Sequence, residues 1–261
     1  MKTQNGLIIV AIIQARLTST RLPKKIMLDL CGKPLLCHVV ERVMRAQLID
    51  EVVLAIPDSS SNDQLELFAK QFNWKIFRDS EDDVLSRYYH AATHFKADII
   101  VRITSDCPLV DPAIIDETIK RHILDRNDYT AVGIEGGFPR GLDVEVLNIE
   151  SLQYAYDKAV DKSEREHVTL FIYQNPELFK TRFIEATQPL KRPEIRLTVD
   201  TEEDYFLIKQ IYSVLHNGGN FFSTQDVLDL IDSNPHLQSI NKHIIQKDTH
   251  HHENSHHHGR Q

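Results

Sequence analysis

The feature that most constrains this chain is a regular alternation over its first 125 residues. Strand-length apolar runs take turns with segments whose apolar residues recur at helical spacing. Leu7 to Gln14 is a continuous apolar run. Pro34 opens a helix on which Leu35, Leu36, Val39, Val40, Val43 and Met44 share one face. Strands are expected at Glu51 to Pro57, Trp74 to Arg78 and Asp98 to Ile103, and helices at Asn62 to Phe72, Asp82 to Phe95 and Pro112 to Leu124. Such alternation dictates parallel strands joined by right-handed crossovers, with helices on both faces of the sheet. The fold class is therefore α/β, Rossmann-like, with a mostly parallel central sheet.

The second half is less regular. Tyr129 to Ile134 and Leu142 to Leu147 read as strands, the latter with the apolar–acidic alternation of a half-buried one. Helices are expected at Ile149 to Val160 and Glu164 to Tyr173, and strands at Phe179 to Ala186 and Glu194 to Val199. Helices Glu202 to His216 and Thr224 to Asp232 close a single domain spanning residues 1–246. Residues 247–261 contain His250, His251, His252, His256, His257 and His258 and no apolar residue. That composition reads as a disordered tail without a catalytic role, able to bind transition metals weakly.

Composition narrows the function. Thirty basic residues stand against thirty-eight acidic ones, a net charge of −8, which argues against a general nucleic-acid binder. The eight-residue run Gly6 to Ile13 is too short to span a bilayer, and no cleavage site follows it, so the expected place of action is the cytosol. Cys31, Cys37 and Cys107 show no zinc spacing and read as reduced thiols of the core.

Against that acidic background, the loop after the first strand, RLTSTRLPKK, packs Arg16, Arg21, Lys24 and Lys25 into ten residues, with hydroxyls at Thr18, Ser19 and Thr20. Ligands of parallel α/β sheets bind at the carboxyl ends of the strands, and such a loop suits a polyphosphate. After the strand at Asp98 to Ile103 comes TSDCPLVDP. There Asp106 faces the same crevice and can hold Mg²⁺ bridging phosphate oxygens, whereas Asp111 before Pro112 reads as a helix cap. Asp200 ends a strand just before Glu202, Glu203 and Asp204. The last three complement a helix N-terminus. Local spacing leaves open whether Asp200 is a second metal ligand.

These residues carry a resemblance. RLTSTRLPKK followed by LDLCGKPLLCHVVERV resembles the opening signature of the cytidylyltransferases that make CMP-activated sugar acids. SEDDVLSRYYHAA, VRITSDCPLVDP, FPRGLDVEV, REHVT and RLTVDTEED recur in order, as in the branch of the spore coat polysaccharide biosynthesis protein F. The resemblance covers about residues 7 to 215. It implies a nucleotidyltransferase fold of the GT-A-like kind that transfers CMP from CTP to a sugar acid and releases pyrophosphate. It further implies that Gln14, Ala15, Arg16, Arg21 and Lys25 bind the nucleotide and its triphosphate. By the same resemblance Arg78, Ser80 and Glu81 lie where the base is recognised, and Asp106 and Asp200 hold Mg²⁺. Arg16, Arg21, Lys25 and Asp106 are the expected catalytic set. A homodimer is compatible with the resemblance. Arg140, Asp143, Arg165 and His167 are candidates for the acceptor pocket: an arginine can receive a sugar carboxylate, and His167 can orient a hydroxyl or be an ordinary helix residue.

Lys24 departs from the pattern, because the family usually has glycine there; the lysine adds charge or crowds the phosphates. The long dimerisation hairpin of well-studied sugar-acid synthetases is also not evident. Two alternatives stay open on the sequence: a glycosyltransferase using a preformed nucleotide sugar, and a non-catalytic nucleotide-binding module.

Overall fold

A computed structural model describes residues 6–244. The expectation of a disordered tail at 247–261 lies outside the described residues. The strands are β1 (Ile9–Gln14), β2 (Asp29–Leu30), β3 (Lys33–Pro34), β4 (Glu51–Pro57), β5 (Lys75–Asp79), β6 (Ile99–Thr104), β7 (Tyr129–Val132), β8 (Val144–Asn148) and β9 (Thr181–Phe183). The α-helices are α1 (Leu35–Val43), α2 (Asp63–Gln71), α3 (Val84–His94), α4 (Pro112–Asp125), α5 (Ile149–Lys158), α6 (Lys162–Glu166), α7 (Leu170–Gln174), α8 (Glu202–Leu215), α9 (Thr224–Ser233) and α10 (Pro235–Ser239).

Seven strands form one sheet in the order β5-β4-β1-β6-β8-β7-β9. β5, β4, β1 and β6 run parallel, and β8 is antiparallel to both of its neighbours. Strand periodicity explains why both faces need cover. Ile9, Ala11 and Ile13 of β1 enter one apolar cluster with α1, α4, α8 and α9, while Val10 and Ile12 enter another with α3, α5 and α7.

Helix ends follow the expected chemistry. Asp111 caps α4 by accepting from the Ala113 amide at 2.9 Å, with Pro112 in the first turn. Its other oxygen accepts from the amide and hydroxyl of Thr224 at 2.9 and 2.8 Å, which fastens α9 to the same corner. Asp204 completes a capping box with Thr201 at the start of α8.

Three expected elements come out differently. The strand at Glu194 to Val199 is reduced to one parallel bridge between Arg196 and Arg140. Its backbone bonds first to Arg140, through Arg140 N to Ile195 O and Leu197 N to Arg140 O, and then to Asp106 O through Val199 N, so no single strand accompanies it. The helix at Glu164 to Tyr173 breaks into α6 and α7. Between them buried Val168 holds φ of 56°, a left-handed conformation that a β-branched residue rarely adopts. The strand at Phe179 to Ala186 shortens to β9, the sheet edge. Cys37 and Cys107 are buried and unpaired as expected, but Cys31 is exposed at the β2–β3 turn.

Candidate active site

β1 and β6 lie side by side and end together, with Gln14 opposite Thr104 in register. Their following loops, 15–28 and 105–111, therefore rise at the same sheet edge. Residues 196–200 cross toward them, because Val199 N donates to Asp106 O at 2.8 Å. Asp106 and Asp200, 94 positions apart in sequence, thus meet at one point.

What joins them is Lys25. Its Nζ donates to Asp106 Oδ2 at 2.7 Å, to Asp200 Oδ1 at 2.8 Å and to the Val199 carbonyl at 2.8 Å. Arg21 Nη2 lies 2.9 Å from the same Asp200 oxygen, and Arg196 Nη2 lies 2.8 Å from the other. Arg196 is itself fixed by Asp204, from Nε to Oδ1 at 2.9 Å. Burial disfavours charge on both Lys25 and Asp200, yet ion pairing prevails on each. The Lys25 pKa lies above its ordinary value because of Asp106 and Asp200. That of Asp200 lies below its own because of Lys25, Arg21 and Arg196.

Two cavities share this point. One is a cleft of about 520 Å³ lined by Gln14, Ala15, Arg16, Arg21, Lys25 and Glu81 among others. The other, about 390 Å³, is lined by Tyr129, Glu135, Arg140, Asp143, Glu145 and Tyr173 among others. Arg21, Arg102, Thr104, Asp106, His167 and Asp200 border both. A larger groove of about 780 Å³ beside α4 and β9 is separate from this point; of the charges along it, Arg121 pairs with Glu117, and Arg182 pairs with Asp125 nearby.

The second cavity has a fixed polar wall. Glu145 accepts from Arg102 Nη1 at 2.5 Å, from Tyr129 OH at 3.0 Å and from Thr169 Oγ1 at 3.1 Å. Arg102 Nη2 in turn donates to Gln14 Oε1 at 3.2 Å. Asp143 is half-buried at the cavity wall, and its loss of solvation raises its pKa despite the Gly141 amide 2.7 Å away and the attraction of Arg140. Arg140 itself has no side-chain hydrogen bond or ion pair among the described residues, which leaves its guanidinium free for a ligand. Cys107 also borders this cavity, but burial and Asp106 push its thiol well above the ordinary range, so it is no nucleophile.

The remaining sequence candidates fall outside both cavities or at their rim. Arg78 pairs with Asp63 and Glu66 of α2 and donates to the carbonyls of Asp58 and Ser59, each at 3.0 Å. Ser80 Oγ accepts from the Asp83 amide at 3.1 Å. Glu81 reaches the cleft, but its carboxylate accepts from Thr18 and Ser59 hydroxyls at 2.7 Å each, which lowers its pKa. Arg165 borders neither cavity; it grips Asp83, the cap of α3, at 2.5 and 3.0 Å. His167 does border both, held between α6 and strained Val168.

Lys24 is exposed with φ of 53° and ψ of 27°. This position needs left-handed backbone, so glycine suits it without any demand for space near the phosphates. Sequence reading missed Arg87, Arg102, Glu145 and Lys162. Arg102 and Glu145 did carry a signal, since each is a charge inside an apolar strand and they face each other in register.

Asp106 and Asp200 suit a Mg²⁺ ion, which takes one or two carboxylates and fills its octahedron with phosphate oxygens and water. Among the described residues no group of three or more His, Cys, Asp or Glu side chains forms a protein-only cage.

Residues 10–231 match the family model described as cytidylyltransferase. The chain belongs to that family. It is thus a nucleotidyltransferase, and its sheet is that of the α/β nucleotidyltransferase fold. It is 35% identical to the spore coat polysaccharide biosynthesis protein SpsF of Bacillus subtilis over 232 residues, covering 87% of this chain and 95% of that one. It is 41% identical over 113 residues to the 3-deoxy-manno-octulosonate cytidylyltransferase of Geobacter sulfurreducens, covering 42% and 44%. The structure of a cytidylyltransferase from Leptospira borgpetersenii superposes with a TM-score of 0.83 at 31% identity, covering 93% of this chain and 100% of that one. No helix among the described residues is long and apolar enough to cross a membrane.

Proposed function

We propose that this cytidylyltransferase transfers CMP from CTP to a sugar acid, releasing pyrophosphate, in the synthesis of a surface polysaccharide or glycan. The observation that carries this reading is the Asp106–Lys25–Asp200 bridge at the junction of two cavities. A nucleotidyl transfer needs a nucleotide on one side of the reacting phosphorus and an acceptor hydroxyl on the other. The names of the Bacillus and Geobacter relatives point to the same pathway class.

In this reading the basic loop receives the triphosphate in the first cleft, with Gln14, Ala15, Arg16, Arg21 and Lys25 around it. Phosphate oxygens draw Arg21 and Lys25 off the two carboxylates. The cations then neutralise the charge that grows on the departing pyrophosphate, the electrostatic term that dominates such barriers. Asp106 and Asp200 are the residues that would hold Mg²⁺; bound there, it would neutralise phosphoryl oxygens. The sugar acid occupies the second cavity. Arg140 receives its carboxylate bidentately, and Asp143 and His167 orient hydroxyls, one of which attacks the α-phosphorus. Base recognition rests on the Arg78 to Glu81 segment through its backbone and Glu81.

The test is thermal unfolding with each of the four ribonucleoside triphosphates, with and without Mg²⁺, followed by pyrophosphate release over a panel of sugar acids. A ligand at 100 times its dissociation constant adds about 2.7 kcal/mol, an easily read shift. Stabilisation by CTP above the other three, and turnover with one sugar acid, is the expected result. Equal or absent responses to all four triphosphates would refute the CTP assignment.

A further inference from the structure

Arg87, in the first turn of α3, is 2% exposed and yet borders the nucleotide cleft beside Arg16. Its Nη1 donates to the Ser80 carbonyl and, at 3.5 Å, to that of Glu81. Among the described residues its Nε is buried without a partner, and Nη2 makes no hydrogen bond. Asp79 and Glu81 lie near enough to attract it, but neither forms an ion pair with it among the described residues. Glu81 is engaged by Thr18 and Ser59, and Asp79 by His90 at 2.6 Å and by the Ser80 amide at 2.7 Å. Arg16 repels it, and the neighbouring Tyr88 is buried and neutral.

Four other cations of the site differ from it. Lys25, Arg21, Arg102 and Arg196 each lie on a carboxylate. A buried guanidinium without an ion-pair partner and with an unpartnered Nε is costly to keep, and part of that cost is recovered when an anion arrives. Helix α3 cannot release it, because Arg165 clamps the Asp83 cap and the Tyr88 hydroxyl is bonded to the Ile12 and Ile103 carbonyls.

We propose that Arg87, together with Arg16, receives anionic phosphate oxygens of the nucleotide on the α3 side of the cleft, as a binding residue distinct from the Arg21–Lys25 pair. This rests on the reading of the cleft as a nucleotide site. It also divides the labour between the two pairs. Arg21 and Lys25 are already neutralised by Asp106 and Asp200 and must exchange partners. Arg16 and Arg87 make no ion pair among the described residues and meet the polyphosphate without exchanging partners.

The experiment compares CTP, inorganic pyrophosphate and cytidine binding to the wild type, Arg87→Met and Arg87→Lys, by calorimetry and, for cytidine, by NMR titration. Arg87→Met should weaken CTP and pyrophosphate at least about tenfold while cytidine affinity stays unchanged. It should also flatten the salt dependence of CTP binding. Arg87→Lys retains charge without the planar fork and should lose less; it decides the matter if the methionine variant does not fold. If CTP and cytidine weaken together in either folded variant, Arg87 only supports the 80–81 turn and the proposal falls. It falls equally if pyrophosphate affinity does not change. Wild-type protein that binds neither CTP nor pyrophosphate would instead overturn the nucleotide reading itself.

Discussion

Lys25 Nζ and Asp200 Oδ1 stand 2.8 Å apart although 175 positions separate them in sequence. This bond, with its partner to Asp106, joins the two carboxylates of the site through one cation. Lys25→Met removes the cation and leaves two half-buried carboxylates facing each other, with only Arg21 and Arg196 on Asp200. The expected cost is about 2 kcal/mol of stability, a fall of roughly 4–8 °C in Tm. Pyrophosphate release should fall on the order of 100-fold or more. A variant with unchanged Tm would mean that the bridge does not hold the site together.

Asp106→Asn keeps the shape of the side chain and the main-chain carbonyl that accepts from Val199. Folding should therefore be preserved within about 1 kcal/mol. Turnover should drop at least about 100-fold, because a neutral amide cannot serve a cationic site as a carboxylate does. Near-wild-type kcat in steady-state assays would remove Asp106 from the mechanism.

Arg140 and Arg165 should part company when each is changed to alanine. Arg140→Ala should raise the KM for the sugar acid about 10- to 100-fold, the worth of a charged hydrogen-bonded contact, and leave CTP affinity and Tm alone. Arg165→Ala should instead lower Tm, since it frees Asp83 at the cap of α3 and the Tyr156 carbonyl, 2.7 Å from Arg165 Nη1. Paired kinetics and melting curves would show whether the two arginines separate in this way.

The half-buried, desolvated Asp143 gives a pH test. Its folded-state pKa lies above the unfolded one, so burying its charge costs stability once the pH exceeds the folded value, and the cost vanishes below about pH 3.9, where both states are protonated. Asp143→Asn can still accept from the Gly141 amide. It should raise Tm at neutral pH, with a gain that shrinks as the pH falls, and should lower turnover. A gain that grows toward acid would contradict the burial argument.

Lys24 occupies left-handed backbone, where a side chain costs roughly 1 kcal/mol and glycine does not. Lys24→Gly should be neutral or stabilising by up to about 1 kcal/mol, even after glycine's greater freedom in the unfolded chain is counted. Calorimetric unfolding would reveal a loss instead if the lysine side chain served the fold.

Sequence periodicity alone determined the parallel half of this protein. The apolar runs and caps from Leu7 to Leu124 need only local sterics and burial on two faces, and they appear as β1, β4, β5, β6 and the helices between them. The density of cations after β1 and the acid after β6 were equally legible, because strand order brings both loops to one sheet edge. The helix–turn–helix at 162–174 was not, since Val168 is held in a conformation that no local preference favours. Nor was the path of residues 196–200, whose backbone partners are two loops distant in sequence. Arg165, expected at the acceptor pocket, is sent by packing to a helix cap, and Arg87, which looks like ordinary helix surface in the sequence, is sent to the cleft. Charge type is written in the chain; which charges meet depends on long-range contacts that no window of sequence contains, and in this fold it was those contacts that set Lys25 between Asp106 and Asp200.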